Sequence, residues 1–225
     1  FAPTPDGTPV TGPTEVDAER GLARARAASV FMLGLPGSAY VYQGEELGLP
    51  EVFDLPDEAR QDPVWHRSNG EDTGRDGCRV PIPWSNETPN YGFGPTEASW
   101  LPQPKDWAEL SVANQAGDDS STLALYRHML AQRRCEPALG DGPMRWLDSG
   151  FADVLALERF TPEGEDPSIL VVVNTSECSV TLPTEWGIDL LVTSGPEVAV
   201  VNEGGNEQVA LGAATAVWLR GPAVN

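Results

Sequence analysis

Positive charge is scarce in this chain: 14 Lys and Arg face 34 Asp and Glu, giving a formal net charge of −20 over 225 residues. Nucleic acid and anionic membrane surfaces would repel such a protein, so neither is expected as a partner. Long apolar runs are also missing. Nothing approaches the roughly 18–20 residues a membrane-spanning helix requires, and no signal-peptide pattern opens the chain. Cys78, Cys135 and Cys178 are odd in number and far apart. They form neither a metal motif nor a disulfide framework, which predicts free thiols in a reducing, cytoplasmic compartment. Only two histidines occur, His66 and His128. No Gly-rich phosphate loop, nucleophile elbow or zinc motif is present, so no cofactor or metal is expected. An initiating methionine is missing too. The opening FAPTPDG reads as the interior of a loop, and the expectation is a piece of something longer.

Against these absences, 40% of the residues are hydrophobic and 21% are charged, which suffices for a packed core. Residues 1–13, rich in Pro, Gly and Thr, read as loop. Thr14-Glu-Val-Asp17 resembles a helix-capping box. Leu22, Ala25, Ala28, Phe31, Met32 and Leu35 then recur near helical spacing, predicting an amphipathic helix over 15–33. After the breaker Leu35-Pro-Gly37, Ser38–Tyr42 is short and apolar on both sides, as a strand buried on both faces would be. Residues 47–118 carry repeated Pro, Gly and Asp plus Trp65, Trp84, Trp100 and Trp107. An irregular stretch of that length points to function. A second helix is predicted over 120–135, started by Asp118–Ser121 and ended near Pro137. Beyond Gly140, β-rich runs at about 143–148, 153–160, 168–174, 178–182, 189–193, 197–201 and 213–220 alternate with turn clusters such as Pro162-Glu-Gly164 and Gly204-Gly-Asn206. That pattern predicts an antiparallel β-sandwich or barrel. A lone doubly buried strand needs neighbours on both edges, so its sheet is expected to be completed by sequence outside this chain.

The acids do not suggest a catalytic pair. Glu45 and Glu46 are adjacent, and on an extended segment they point to opposite sides. Asp118 and Asp119 fit helix capping, while Asp72 and Asp76 flank glycines and fit turn hydrogen bonds. His66, in Trp65-His-Arg67, could touch a ligand. His128 lies in the second predicted helix with no acid or cysteine near it in sequence. Asn86-Glu-Thr88 and Asn174-Thr-Ser176 match the glycosylation acceptor pattern, which is common by chance. The segment Gly74-Arg-Asp-Gly-Cys-Arg-Val-Pro-Ile-Pro-Trp84 stands out, with two arginines held in a stiff stretch. Arg75 and Arg79 could form surface salt bridges worth about 0–1 kcal/mol each. Alternatively, an arginine fixed at a cleft could pair with a buried acid and donate to substrate oxygens. Spacing alone does not choose.

Two segments together resemble glycoside hydrolase family 13, most closely its α-glucosidases and oligo-1,6-glucosidases. Leu35-Pro-Gly-Ser-Ala-Tyr-Val-Tyr-Gln-Gly-Glu-Glu-Leu-Gly48 resembles that family's last barrel strand. Gly74–Trp84 resembles its segment Arg-Asp-Asn-Ala-Arg-Thr-Pro-Met-Gln-Trp. Ser99-Trp-Leu-Pro102, Asn114-Gln115 and Tyr126–Arg134 follow in the family's order. The resemblance implies an α/β fold followed by an all-β one. Residues 1–139 would be the last part of a catalytic (β/α)8 TIM barrel (helix 7, strand 8, long loop 8, helix 8), and 140–225 a C-terminal β-sandwich domain. It implies retaining hydrolysis of α-glucosidic bonds in short oligosaccharides or disaccharides, which needs two carboxyl groups about 5–5.5 Å apart. In the family those groups lie on earlier strands and map onto no residue here. The chain alone is therefore expected to be inactive, and its partner to be the missing N-terminal barrel portion. The substrate-binding residues implied are Arg79, Arg75 and Glu45. The residue matching Arg79 pairs in the family with an acid from an early barrel loop and closes the pocket for the terminal glucose. Val80, Ile82 and Pro83 depart from the family's Thr, Met and Gln. Glucosyl transfer or sucrose or trehalose isomerisation on the same scaffold, and a non-catalytic sugar-binding fragment, are the competing readings.

Overall fold

In the computed structural model, residues 16–162 and 166–223 are described. The expected loop 1–13, the start of the Thr14–Asp17 capping box and most of the turn at 162–164 lie outside them. The described chain forms four α-helices, α1 (Ala18–Gly34), α2 (Pro63–Arg67), α3 (Val112–Gln115) and α4 (Thr122–Cys135), joined by short 3-10 turns. Eight strands follow: β1 (Met144–Leu147), β2 (Val154–Arg159), β3 (Pro167–Asn174), β4 (Val180–Thr181), β5 (Asp189–Thr193), β6 (Val198–Glu203), β7 (Asn206–Leu211) and β8 (Thr215–Ala223). Contacts divide the chain into two compact units.

The first unit contains Glu19–Tyr40 and everything from Leu125 onward. Its centre is an antiparallel five-stranded sheet in the order β1-β2-β3-β8-β5, with a second sheet in the order β4-β7-β6. Side chains alternate across a strand, and here both faces are buried. On one face Leu157, Ile169, Val171, Val173, Ala216 and Trp218 pack with Ala27, Val30 and Leu33 of α1 and with Leu125, Tyr126 and Met129 of α4. On the other, Val154, Ala156, Leu170, Val172, Val217 and Leu219 pack with Val198, Val209 and Leu211 of the smaller sheet. The sandwich expected beyond Gly140 therefore exists, with two helices covering its outer face. This double cover explains the nearly continuous apolar run Ile169–Val173 in β3.

The end of α1 is held by cations. The last carbonyls of a helix lack intrahelical donors and carry partial negative charge. Arg133 donates to the carbonyls of Leu33, of Leu35 at 2.9 Å and of Gly37 at 2.6 Å. Arg159, fully buried on β2, donates to the carbonyls of Gly34 at 2.9 Å, Gly140 at 2.6 Å and Gly142 at 3.2 Å. No acid pairs with Arg159 among the described residues. Burial, and then the charge of Arg133, pull its pKa below the ordinary arginine value.

The second unit spans Val41–Ala124. It has no strand among its described residues, but it has its own core. Val52, Leu55, Val80, Leu101 and Trp107 form one cluster, and Leu47, Ile82 and Leu123 another. Gln115, nearly buried, donates to the carbonyls of Leu47 and Leu110 and accepts the amide of Leu123. The predicted second helix begins later than its acids suggested. Ser121 caps it by accepting from the Ala124 amide, while Asp118 builds the preceding turn.

Ser38–Tyr42 corrects an expectation. It is not a strand, and its residues are exposed, Tyr40 at 87%. A strand exists only through a paired ladder, and no described segment pairs with this one. Asn174 settles the second acceptor triplet: it is fully buried, and its amide donates to the carbonyls of Cys178, Leu211 and Gly212.

Helix α1 approaches the sheet at Gly34. A Cβ there would lie 2.6 Å from both Val171 methyls and 3.1 Å from Trp218 Nε1, which itself donates to the Val30 carbonyl. Gly34→Ala gains about 1 kcal/mol of helix propensity but forces the helix off a rigid core, at about 1–3 kcal/mol. A net loss of stability is expected on urea unfolding. An unchanged or raised midpoint would contradict this packing.

Candidate substrate site

The expected site residues all lie in the second unit, and the backbone around Arg79 is fixed from both sides. Val80 is buried in one cluster and Ile82 in the other, with Pro81 and Pro83 buried between and after them. Gln103 donates to the Pro81 carbonyl at 2.9 Å, and Val112 to that of Pro83 at 3.0 Å. The segment before Arg79 is a 3-10 turn, Asp76–Cys78, which crosses close to Val52. The Val52 amide donates to the Gly77 carbonyl, and a Cβ on Gly77 would meet Val52 O at 2.4 Å. Only glycine allows that approach.

Two buried carboxylates hold this turn to the start of α2. Asp76 Oδ2 accepts the backbone amides of Gln61 at 2.6 Å and Asp62 at 2.8 Å. Asp62 Oδ1 caps α2 by accepting from Val64 at 3.0 Å, and its Oδ2 accepts the Arg75 amide at 3.1 Å. The same Oδ2 accepts from Arg79 Nη1 at 2.9 Å, and Asp76 Oδ1 lies 3.6 Å from that nitrogen. Asp76 thus does more than shape its own turn. Behind the brace, the Arg60 guanidinium lies 5.0 Å from the centre of the Trp65 ring.

Within this chain Arg79 has an acid partner, Asp62. The two side chains differ sharply in access. Asp62 is 8% exposed and Arg79 41%. Arg79 meets both acids through Nη1 alone, which leaves most of its planar five-donor fork uncommitted to them. Arg75 has its backbone fixed by Asp62 and its side chain exposed. Glu45 is exposed and opens a 3-10 turn, Glu45–Leu47, so the extended geometry expected for Glu45 and Glu46 is wrong. Glu46 folds back to accept the Gly44 amide at 2.9 Å, leaving Glu45 as the exposed one of the two. His66 is exposed on α2, and His128, in the other unit, donates to the Leu191 carbonyl at 2.7 Å. No metal-binding cluster of His, Cys, Asp or Glu exists among the described residues. Asp62 is the residue that sequence reasoning missed. Its one signal was Asp62-Pro63, an acid preceding a proline at a helix start.

The arrangement is a rigid loop platform carrying Arg75 and Arg79, and its two carboxylates, Asp62 and Asp76, are buried and taken up by backbone amides. The family model described as "Alpha amylase, catalytic domain" matches residues 9–142, more than half of the chain. The chain belongs to this family, glycoside hydrolase family 13, and is α-glucosidase-like. A probable α-glucosidase of Rhizobium meliloti is 37% identical over 127 residues, 56% of this chain and 22% of that protein. A glucan 1,6-α-glucosidase of Streptococcus dysgalactiae subsp. equisimilis is 28% identical over 186 residues, covering 76% and 34%. Among solved structures, an α-glucosyl transfer enzyme aligns with a TM-score of 0.70 and 32% identity over 88% of this chain and 36% of that one. The chain spans a fifth to a third of the length of these curated relatives. Its helices and antiparallel sheets correspond to the C-terminal part of a TIM-barrel enzyme of the family and its β-domain.

The brace has a definite pH dependence. Amide hydrogen bonds from Val64 and Arg75 hold the Asp62 carboxyl below the usual carboxylate range. Burial opposes this, and the hydrogen bond and charge of Arg79 add to it. A folded-state pKa below the unfolded value of about 3.9 gives stability that is complete above that value and is lost as pH falls through the folded one. The urea midpoint should not fall on account of Asp62 between pH 7 and about 4.5, and the decline below about pH 4 should be shallower in Asp62→Asn. An Asp62-dependent loss between pH 5 and 7 would contradict the assignment.

Proposed function

We propose that the chain is part of a retaining α-glucosidase that hydrolyses terminal α-glucosidic bonds of short oligosaccharides or disaccharides. The observation that carries the reading is Arg79: anchored on the buried Asp62 by one nitrogen, with 41% of its side chain open, in the segment that resembles the glucosidases. In this reading residues 1–139 belong to the catalytic barrel and 140–225 to its β-domain. Arg79 and Arg75 donate to substrate hydroxyls at one wall of the glucose pocket, and Glu45 is a further substrate-binding residue. Hydrogen bonds from a charged donor to hydroxyl oxygens orient the sugar and close the pocket beyond its terminal ring.

The nucleophile and the acid come from the N-terminal barrel portion, so residues 1–225 alone do not turn over glucosides. The exposed, unpaired Ser38–Tyr42 supports that partner. Tyr40, Val41 and Tyr42 present exposed apolar surface of the kind a neighbouring barrel strand covers. The three unpaired thiols, two of them exposed, support placing the enzyme in the cytoplasm.

A second reading has its own support. The solved α-glucosyl transfer enzyme is 32% identical, and Val80, Ile82 and Pro83 differ from the usual glucosidase residues. The two readings separate on products. With the complete enzyme on maltose, isomaltose and sucrose, hydrolysis predicts glucose as the main product. Mainly rearranged or elongated saccharide would overturn it in favour of transfer. Arg79→Ala should lower kcat/KM on the order of 100-fold, through loss of a charged donor that leaves a buried acid unpaired. Near-normal kinetics would remove Arg79 from the site.

A further inference from the structure

We propose that Asp62 is the positioning residue that sets the Arg79 guanidinium for substrate, an inference that rests on the glucosidase reading of Arg79. One carboxylate oxygen, Oδ2, takes the backbone amide of Arg75 and the guanidinium Nη1 of Arg79, at 3.1 and 2.9 Å. A single atom therefore ties the Arg79 guanidinium to the backbone of the turn at Arg75. The acid cannot move away to suit either arginine. Its other oxygen caps α2, and its own backbone amide is held by Asp76 Oδ2 at 2.8 Å. The two segments grip each other reciprocally: the carboxylate of 76 takes the amides of 61 and 62, and the carboxylate of 62 takes the amide of 75.

Gly74 packs against this acid. It has φ 64°, and a Cβ there would lie 2.7 Å from Asp62 Cγ. The loop is thus shaped to bring backbone against the carboxylate. Arginine's long stem is conformationally free unless something holds its head, and the fixed head contact of Arg79 is this ion pair. Asp62 itself is too enclosed to meet a sugar, so its effect on turnover passes through Arg79.

The test is a double-mutant cycle in the complete enzyme, using Asp62→Asn, Arg79→Ala and the double variant. Asparagine is as good a helix cap as aspartate, so the α2 start survives while the charge is removed. Asp62→Ser, which also caps, is run in parallel against a failure of the first variant to fold. The expected result is a fall in kcat/KM of about tenfold or more for Asp62→Asn, with KM raised, and less than a twofold further change when it is added to Arg79→Ala. A loss of equal size in both backgrounds would mean that Asp62 serves only the loop's stability, and it would overturn the proposal. So would kinetics within twofold of wild type for the single variant. If Arg79→Ala is itself normal, the glucosidase reading of Arg79 falls and this proposal with it. If Arg79→Ala is impaired but the losses add, only the role of Asp62 falls.

Discussion

The site depends on carboxylates that bind backbone. Among the described residues at 41–121 no sheet and no long helix holds the loops together, and their amides must still find acceptors. Asp62 and Asp76 meet that need, each accepting two amides, and three of these four bonds span 13 to 15 residues. Once the backbone is held this way, an arginine placed in the same turn meets a buried negative charge at a fixed point. Its remaining donors are then aimed by the fold, without the search that a free arginine side chain would make. The acids that give this protein its large negative charge include two that act as structural pins.

A different use of charge organises the first unit. Arg133 and Arg159 are cations that face carbonyls in place of carboxylates, and they seize the end of α1. A buried guanidinium with no counter-ion is costly. It is tolerated at a helix C-terminus because the partial negative charge of the unmet carbonyls substitutes for one. The clamp fixes where the chain leaves α1, between Leu33 and Gly37, immediately before the exposed segment at 38–42.

Much of this was legible in the sequence, and the failures have physical causes. Long elements showed themselves: α1 and α4 by their helical period, and β2, β3, β5 and β8 as β-rich apolar runs between turn clusters. Strand β7 did not, because Asn206-Glu-Gln208 opens it with polar residues on an exposed hairpin and reads as the continuation of a turn. Ser38–Tyr42 has the composition of a buried strand, but composition cannot supply the hydrogen-bonding neighbours that make one. Arg79 and Arg75 stood out from their motif alone. Asp62 did not, since its partners come from 13 and 17 residues away through a stretch without periodicity. Glu45 was placed on an extended segment because the preceding residues looked β-like, whereas left-handed Gly44 and Gly48 turn the chain into a 3-10 helix there.

The central claim is that the Asp62 brace presents Arg79 to a terminal glucose. The most direct test is a crystal structure of the complete enzyme with glucose or a disaccharide bound in the active site. The account predicts that Arg79 Nη1 remains on Asp62 Oδ2 within hydrogen-bonding distance while its other nitrogens donate to the sugar's hydroxyl oxygens. A bound sugar with Arg79 turned away from it, or with the Asp62 pair broken, would contradict the account.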